Sequence, residues 1–335
     1  MVAAPGKVAN LAGFCGLARS PAHDQVRPRT FTSRCALVCT PQTGSSPGTI
    51  RVVSKGYVLV TGISSGIGEA CTRHLAELGY NVFAGVRKQE DVERAAGPRV
   101  EPLIIDVTDA ASVLAAAEQI RDAVGHRGLA GLVNNAGVAV AGPVEFIALD
   151  DFQRQLEVNV TGVLRTTQAV LRQVRHARGR IVNISSIGGR VALPMVGPYS
   201  ASKLALEGMS DALRRELRPW GIHVALIEAG AVATPIWDKG VDQAESFERD
   251  ALPEVRERYG TVIDRIRSES AKNRTEGVPP REVAEAVAHA LAGDKPKTRY
   301  LVGRDAKVRG PVAKLIPDRV MDAAIARALG QRKAH

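Results

Sequence analysis

One short stretch constrains the fold of this chain more than any other. Tyr57-Val-Leu-Val-Thr61 is typical of a buried strand, and it is followed at once by Gly62-Ile-Ser-Ser-Gly66-Ile-Gly68 and a helical pattern to Leu78. Glycines are needed where backbone turns tightly and approaches a pyrophosphate, and the start of the following helix offers N–H groups to that anion. The alternative is an ordinary glycine-rich turn. The expected cofactor contacts are Gly62, Ser64, Ser65, Gly66, Ile67 and Gly68.

Strand and helix patterns alternate through about residue 230. Further strands are expected at 81–86, 100–105, 128–133, 179–185, 222–227 and 299–302. Helices are expected at about 109–124, 150–176 and 280–291. This alternation predicts the α/β fold class, as a doubly wound parallel sheet of the Rossmann type with right-handed crossovers and helices on both faces.

The two ends of the chain differ in composition from its body. The net charge of +10 is held as +6 on residues 1–55 and +8 on residues 295–335, which leaves −4 between them. An acidic body does not suit a nucleic-acid groove, although a basic C-terminal segment could still contact a phosphate surface. We therefore expect no nucleic-acid partner.

Three regions follow from this organisation. Residues 1–54 are rich in Arg, Ser and Pro and lack periodicity, which predicts a disordered extension, either an added leader or an organellar transit peptide. Residues 55–305 form the dinucleotide-binding domain. Residues 306–335 form a basic helical segment that packs on its own domain or on a partner subunit, or else contacts a membrane surface peripherally.

The cysteines indicate a reducing compartment. Cys15, Cys35, Cys39 and Cys71 have neither a zinc spacing nor the density of a disulfide scaffold, and no apolar run reaches 18 residues. We expect a cytoplasmic protein without a metal site.

Cofactor choice depends on the end of the second strand. A fold specific for NAD would carry an acid there, whereas this chain has Val86 followed by Arg87, which suits a 2′-phosphate. Glu90 and Asp91 lie close by and favour the alternative, a solvated surface arginine. We expect NADP(H) in preference to NAD(H).

Further cleft contacts are expected where other strands end, because ligands bind at the carboxyl ends of strands in open α/β sheets. Asp106 either accepts a hydrogen bond from adenine or caps a turn. The small residues after the fourth strand let backbone pass close to a flat cofactor ring. These expected contacts are Asp106, Val107, Asn134, Ala136, Gly137, Val232 and Thr234.

The candidate chemistry lies at Tyr199 and Lys203, which are one helical turn apart. A phenol is a poor acid or base near neutral pH, and an adjacent cation lowers its pKa. Ser186 follows the fifth strand, and the loop from there to Tyr199 is expected to bring the Ser186 hydroxyl close to the phenol. Asn159 and Gly162 are unfavourable inside a helix, which indicates a kink that frees a carbonyl, or else an ordinary buried amide.

Over residues 56–302 the chain resembles the short-chain dehydrogenase/reductase family. Five motifs carry the resemblance: Thr61-Gly-Ile-Ser-Ser-Gly66-Ile-Gly68, Asn134-Asn-Ala-Gly137, Asn159, Ser186 and Tyr199-x-x-x-Lys203. The turn at Arg87-Lys88 and the tail Arg299-Tyr-Leu-Val-Gly-Arg-Asp-Ala306 resemble members that act on retinoids, steroids or other lipophilic alcohols.

The resemblance implies hydride transfer between NADP(H) or NAD(H) and the alcohol or carbonyl of a small hydrophobic substrate, in a homo-oligomer, dimer or tetramer. It implies that Tyr199 transfers the proton. It also implies that Lys203 lowers the pKa of Tyr199 and binds the nicotinamide ribose. Ser186 would hold the substrate oxygen and Asn159 a water. Two residues depart from the family pattern: Ser65 replaces the basic residue of some NADP-preferring members, and Ala229 replaces the usual proline.

Two other classes of function fit parts of the sequence. A non-catalytic dinucleotide sensor would keep the glycine turn but would not need Asn159, Ser186, Tyr199 and Lys203, all of which are present. A peripheral membrane protein would depend on the basic C-terminal segment.

Overall fold

A computed structural model of the chain describes residues 54–237, 253–312 and 315–331, and a seven-stranded parallel sheet forms its centre. The strands are β1 (Tyr57–Thr61), β2 (Asn81–Val86), β3 (Val100–Ile104), β4 (Leu129–Asn134), β5 (Arg180–Ser186), β6 (His223–Ala229) and β7 (Arg299–Val302). Their spatial order is β3-β2-β1-β4-β5-β6-β7, so the chain changes direction across the sheet between β1 and β4. This order confirms the doubly wound Rossmann-type prediction.

Helices connect the strands and cover both faces of the sheet. They are α1 (Gly66–Glu77), α2 (Val92–Ala95), α3 (Ala110–Val124), α4 (Leu149–Leu156), α5 (Gly162–Ala177), α6 (Gly197–Leu217), α7 (Pro253–Glu276), α8 (Pro280–Ala292), α9 (Arg304–Val312) and α10 (Asp318–Ala328). The side chain of Asp109 caps α3 by accepting from the Ala111 N–H at 2.9 Å.

The two faces of the sheet form separate hydrophobic clusters, because successive side chains of a strand point to opposite faces. One cluster joins strand residues such as Val60 to α1 and α8. The other joins residues such as Leu59 to α3, α5 and α6. Burial on both faces explains why these strands read as continuous apolar runs.

The structure corrects one helix prediction. The segment expected as one helix over 150–176 is α4 and α5, joined by a π-helical turn at Glu157–Thr161. From residue 306 onward the described residues include the rest of α9 and the whole of α10, which begins after Pro317. The prediction of disorder falls on residues 1–53, which lie outside the described residues.

Within the described residues, no helix is long and apolar enough to cross a membrane. Those residues also contain no cluster of His, Cys, Asp and Glu that could hold a metal ion.

Candidate active site

The predicted site residues lie along one edge of the sheet, where the parallel strands end. Asp106 follows β3, Arg87 follows β2, Gly62 follows β1, Asn134 ends β4 and Ser186 ends β5. Val232 and Thr234 follow β6. The glycine turn and Asn134 flank the point between β1 and β4 where the strand order reverses, which is the usual ligand cleft of such sheets.

The glycine turn is shaped by close backbone contacts. Gly62 and Gly66 have φ angles of +69° and +66°, in a region that L side chains rarely adopt. A Cβ on Gly62 would lie 2.6 Å from the Ala136 Cα, and one on Gly68 would lie 2.4 Å from the Asn135 Nδ2. The glycines therefore let the turn press against the segment after β4.

Two residues that sequence reasoning left unassigned hold this turn in place. The Thr61 Oγ1 accepts from the backbone N–H groups of Asn135 and Ala136 at 3.0 and 3.1 Å. The Asn135 Nδ2 donates to the carbonyls of Thr61 and Gly62 at 2.9 and 2.8 Å. Both residues sit inside the quoted motifs, so their position was the available signal, but their partners are about 75 residues apart.

The start of α1 fits a bound pyrophosphate. Ser65 is the N-cap residue in an extended conformation, and its side chain makes no capping hydrogen bond. The first-turn N–H groups of the helix thus keep their donor capacity toward an anion. Glycines at the tight positions of the turn and an uncapped helix start together fit the diphosphate of a dinucleotide.

At the end of β2, Arg87 is exposed whereas Val86 is buried in the core cluster. Of these two residues, Arg87 is therefore the one whose side chain solvent reaches. The acids that counted against NADP(H) are paired: the Lys88 Nζ donates to Glu90 at 2.8 Å, and Arg94 forms an ion pair with Asp91. Arg94 also donates to the Ser64 carbonyl at 3.3 Å, so its charge lies beside the glycine turn.

Asp106 fits the turn interpretation. Its Oδ1 accepts from the Thr108 N–H at 2.9 Å and from the Thr108 hydroxyl at 2.7 Å. Val107 is buried, and a Cβ on Gly162 would lie 2.8 Å from its Cγ2. Val107 therefore packs against the start of α5, which fixes the loop after β3.

The Asn134 side chain belongs to a buried polar chain beneath the cleft. Its Nδ2 donates to the Thr167 Oγ1 at 3.0 Å and to the Asn183 Oδ1 at 2.8 Å. The Asn183 Nδ2 donates in turn to the Ser210 Oγ at 2.8 Å. The Asn134 side chain thus ties β4 to α5 and β5.

Tyr199, Ser186 and Lys203 come together at the start of α6. The Ser186 Oγ accepts from the Gly188 N–H at 3.0 Å, which leaves its proton for the phenol oxygen. Burial raises the pKa of Tyr199, and its hydrogen bond with Ser186 lowers that pKa in part. A Cβ on Gly188 would lie 3.3 Å from the Tyr199 ring, so this glycine permits the close approach.

Lys203 lies beside the phenol but is directed to backbone. Its Nζ is 5.6 Å from the centre of the Tyr199 ring and donates to the Ile184 carbonyl at 2.8 Å. Burial lowers the pKa of Lys203 from 10.5 to about 8. The amine therefore remains mostly protonated at neutral pH.

Asn159 lies in the π-helical turn and serves as a clamp. Its Oδ1 accepts from the Val138 N–H at 2.9 Å, and its Nδ2 donates to the Val138 carbonyl and to the Ser202 Oγ, each at 3.0 Å. Gln155, one turn earlier, accepts from the Val140 N–H at 2.6 Å and donates to the same Val138 carbonyl at 2.8 Å. Both amide protons of Asn159 are used, so a water at this turn would need other donors.

Ser202 completes this clamp, and sequence reasoning missed it together with Gln155. The Ser202 hydroxyl donates to the Tyr199 carbonyl at 2.7 Å. Because Asn159 and Gln155 both donate to Ser202, the clamp links the segment after β4 to the helix that carries Tyr199. The spacing of four residues between Gln155 and Asn159 was the signal in the sequence.

The loop after β6 reaches the glycine turn. A Cβ on Gly66 would lie 3.1 Å from the Thr234 Cγ2. The Val232 carbonyl accepts from the Trp237 indole N–H at 2.7 Å, and Val232 pairs with Val278. Thr234 thus lies against the glycine turn, and Val232 is two residues before it in the same loop.

Apolar residues lie on the segments beside the start of α6, close to Tyr199 in the chain. Met195 belongs to a buried cluster with residues of α7, and Phe146 and Tyr259 pack against this cluster. The Gly142 N–H donates to the Met195 carbonyl at 2.7 Å, so the segment from 142 runs beside the loop that precedes α6. Val144 and Leu193 on these segments are 72% and 37% exposed, which leaves an apolar rim.

Comparisons with known proteins agree with this geometry. A family model described as short chain dehydrogenase matches residues 56–245. "Short-chain dehydrogenase/reductase family 9C member 7" of Homo sapiens is 39% identical over 83% of this chain and 91% of its own length. "NADPH-dependent 3-dehydrocapnine reductase" of Ornithobacterium rhinotracheale is 38% identical over 79% of this chain and 94% of its own. "Retinol dehydrogenase 7" of Rattus norvegicus is 38% identical over 80% of this chain and 87% of its own length.

Solved structures share the same architecture. A short chain dehydrogenase from Burkholderia cenocepacia in complex with NADP is 26% identical, with a TM-score of 0.62 over 82% of this chain and 99% of that one. An actinorhodin polyketide ketoreductase with NADPH is 31% identical, with a TM-score of 0.60 over 74% and 95%.

Proposed function

The chain belongs to the short-chain dehydrogenase/reductase family of oxidoreductases, and we propose that it uses NADP(H) to interconvert a hydrophobic alcohol and its carbonyl compound. One observation carries the proposal: a buried phenol, a hydroxyl and an ammonium group converge at Tyr199, Ser186 and Lys203, beside a dinucleotide-binding turn. When bound, the cofactor donates or accepts the hydride.

In this proposal the residues of the chain manage one proton and hold one oxygen. The Tyr199 hydroxyl gives its proton to the carbonyl oxygen in reduction and takes it back in oxidation. Ser186 stabilises the ionised phenol by donating to it, and it is near enough to hold the substrate oxygen as well. Lys203 keeps a positive charge next to the phenol and, with Tyr199, would hold the nicotinamide ribose.

The preference for NADP(H) rests on the charges at the end of β2. Arg87 is exposed at the cleft rim, and Arg94 stands by the Ser64 carbonyl, whereas the nearby acids Glu90 and Asp91 are ion-paired. The rim is therefore positive where a 2′-phosphate would attach. The NADPH-dependent relative and the NADP-bound structure support the same preference.

A hydrophobic substrate is favoured by the entrance of the site. The exposed Val144 and Leu193 offer apolar surface on the segments that run beside the start of α6, the helix that carries Tyr199. The similarity to retinol dehydrogenases supports a lipophilic alcohol or carbonyl compound as the class.

Steady-state assays of hydrophobic alcohols and ketones with both cofactors test the proposal. Wild type should give a higher kcat/KM with NADP(H), and Arg87→Asp should lower the affinity for NADPH by about ten- to a hundredfold, because a charge-assisted bond to phosphate contributes about 1.5–3 kcal/mol. Arg121→Asp makes the same charge change on the exposed end of α3 and is the matched control.

Two results would contradict the proposal. Equal NADPH affinity in Arg87→Asp and Arg121→Asp would remove Arg87 from the cofactor site. Absence of turnover with both cofactors across the substrate panel would remove the oxidoreductase activity, whatever the binding data show.

A further inference from the structure

A cluster of buried and half-buried charged side chains adjoins the helix that carries Tyr199 and Lys203. Glu228 of β6 is fully buried, with 0% exposure of its side chain, and Arg190 and Arg299 both bind it. The Arg190 Nη2 donates to the Glu228 Oε1 at 2.6 Å, and its Nε pairs with the Oε2. Arg190 therefore contacts both oxygens of this carboxylate, one through a hydrogen bond and the other through an ion pair.

Arg299 of β7 extends the cluster to α6. Its Nη1 donates to the Glu228 Oε1 at 2.9 Å and pairs with Glu207, and its Nη2 is 3.0 Å from the Asp211 Oδ1. Glu207 is buried as well. Three carboxylates and two guanidinium groups thus join β6, β7, α6 and the loop after β5.

The cluster is continuous with the catalytic face of α6. Tyr199, Lys203, Glu207 and Asp211 follow one another at intervals of four residues, so they form a single stripe along the helix. The first two members lie at the phenol site, and the last two bind Arg299. The ion pairs of Glu207 and Asp211 with Arg299 therefore help to hold the helix that carries Tyr199 and Lys203.

Arg190 connects the same cluster to Ser186. The loop 187–190 packs against α6, because a Cβ on Gly189 would lie 3.1 Å from the Lys203 backbone carbon. The Gly188 N–H donates to the Ser186 Oγ, and the Arg190 N–H donates to the Ile187 carbonyl at 2.9 Å. Holding Arg190 therefore holds the short loop that orients the Ser186 hydroxyl.

We propose that Arg190 and Glu228 are positioning residues, which fix the loop 187–190 so that the Ser186 hydroxyl stays aligned with the Tyr199 phenol. The inference deepens the proposed function, because it concerns the alignment of the same proton-handling groups. It also explains why a carboxylate is fully buried here, where apolar residues of the same volume would stabilise the fold as well or better.

The test is the double variant Arg190→Gln with Glu228→Gln, which removes both charges so that neither is left buried and unpaired. We expect a folded protein whose NADPH affinity is within threefold of wild type and whose kcat is lower by about 10²-fold, as for a reacting group displaced by about 1 Å. In alcohol oxidation, the pH of half-maximal rate should move upward, as in Ser186→Ala, because the Ser186 hydrogen bond lowers the pKa of Tyr199.

Arg180→Gln is the matched control. Arg180 lies on the same strand as Ser186 but at the opposite end, and its Nη1 donates to the Ala290 and Gly293 carbonyls at 3.0 and 2.9 Å. We expect this variant to lose thermal stability with kcat and the pH profile unchanged. An equal loss of kcat in both variants would mean general loosening of the sheet and would overturn the proposal.

Amide exchange of residues 186–190 tests the loop without a substrate. The double variant should exchange these amides at least tenfold faster than wild type, and Arg180→Gln should not. Unchanged exchange, or kcat within threefold of wild type, overturns the inference, whereas inactive wild type with faster exchange overturns only the proposed function. If the double variant does not fold, Arg190→Lys tests the proposal instead. Because a lysine ammonium cannot contact both carboxylate oxygens as the guanidinium does, this variant should show the same changes in kcat, pH profile and amide exchange, but smaller.

Discussion

At the scale of single residues, the balance between burial and hydrogen bonding decides how Tyr199 works. Burial disfavours the phenolate, and Ser186 is the neighbour that offsets this effect. The sequence interpretation gave that part to Lys203, but the Lys203 Nζ donates to the Ile184 carbonyl and its own charge is disfavoured by burial. Spacing in a sequence brings two side chains together without saying which partner each one binds.

Tyr199→Phe should abolish turnover and leave cofactor binding nearly intact. The ring and its packing remain while the proton donor is lost, and general acid–base catalysis contributes about 10²–10⁴-fold. Steady-state kinetics and NADPH fluorescence titration measure the two effects. Activity within a few-fold of wild type would show that another group transfers the proton.

Lys203→Met should change how stability depends on pH. Because burial lowers the Lys203 pKa from 10.5 to about 8, its charge opposes folding fully below pH 8, and the opposition fades as the pH rises from 8 toward 10.5. The stability of the variant relative to wild type should therefore be about 2 kcal/mol smaller at pH 9.5 than at pH 7. Urea unfolding at both values measures this.

The exposed Lys307→Met is the control for the loss of one positive charge. A difference for Lys203→Met that stays constant from pH 7 to 9.5 would show that the charged form is not penalised in the fold.

At the scale of elements, some helix glycines are required by a close neighbour and others are not. A Cβ on Gly162 would lie 2.8 Å from the Val107 Cγ2, so this glycine lets α5 begin against the loop after β3. Gly208 in α6 is exposed, and a Cβ there would meet nothing within 4 Å. From the sequence, both look like ordinary helix glycines. Their neighbours in space show that only Gly162 is needed for close packing.

Gly208→Ala should stabilise the protein by about 0.5–1 kcal/mol, because alanine loses less conformational freedom than glycine in a helix. Gly162→Ala should destabilise it, since Val107 and its backbone must move. Urea unfolding of both variants measures the free energies. A stability loss in Gly208→Ala would mean that its surface is covered in the native protein.

The sequence predicted elements well where the signal was local. The glycine turn follows a strand, and Tyr199 and Lys203 lie on one helix, as expected. The polar links between distant segments were not predicted: Thr61 with Asn135, Asn159 with Ser202, and Arg190 with Glu228. Such pairs depend on which strands become neighbours in the sheet. Local patterns in a single sequence do not reveal which strands these are.

At the scale of the whole molecule, the described core is built from residues that begin at Tyr57. β1 is central in the sheet, between β2 and β4, and Val58, Leu59 and Val60 have 0% exposure. Both sheet-face clusters draw their members from Tyr57 onward among the described residues. The fold therefore depends strongly on β1, and the stretch before it can be tested separately.

Deletion of residues 1–50 should leave folding and activity unchanged, because the sequence shows no core pattern before Tyr57 and the core clusters of the described residues draw on Tyr57 onward. The Tm should stay within about 2 °C of the full chain, which is less than about 1 kcal/mol at this size, and kcat/KM should be the same. Deletion of residues 1–60 is the matched control, since it removes Val58, Leu59 and Val60 from the centre of the sheet and should prevent folding. A large fall in Tm with the shorter deletion would mean that residues 1–50 contact the domain and contribute to its stability.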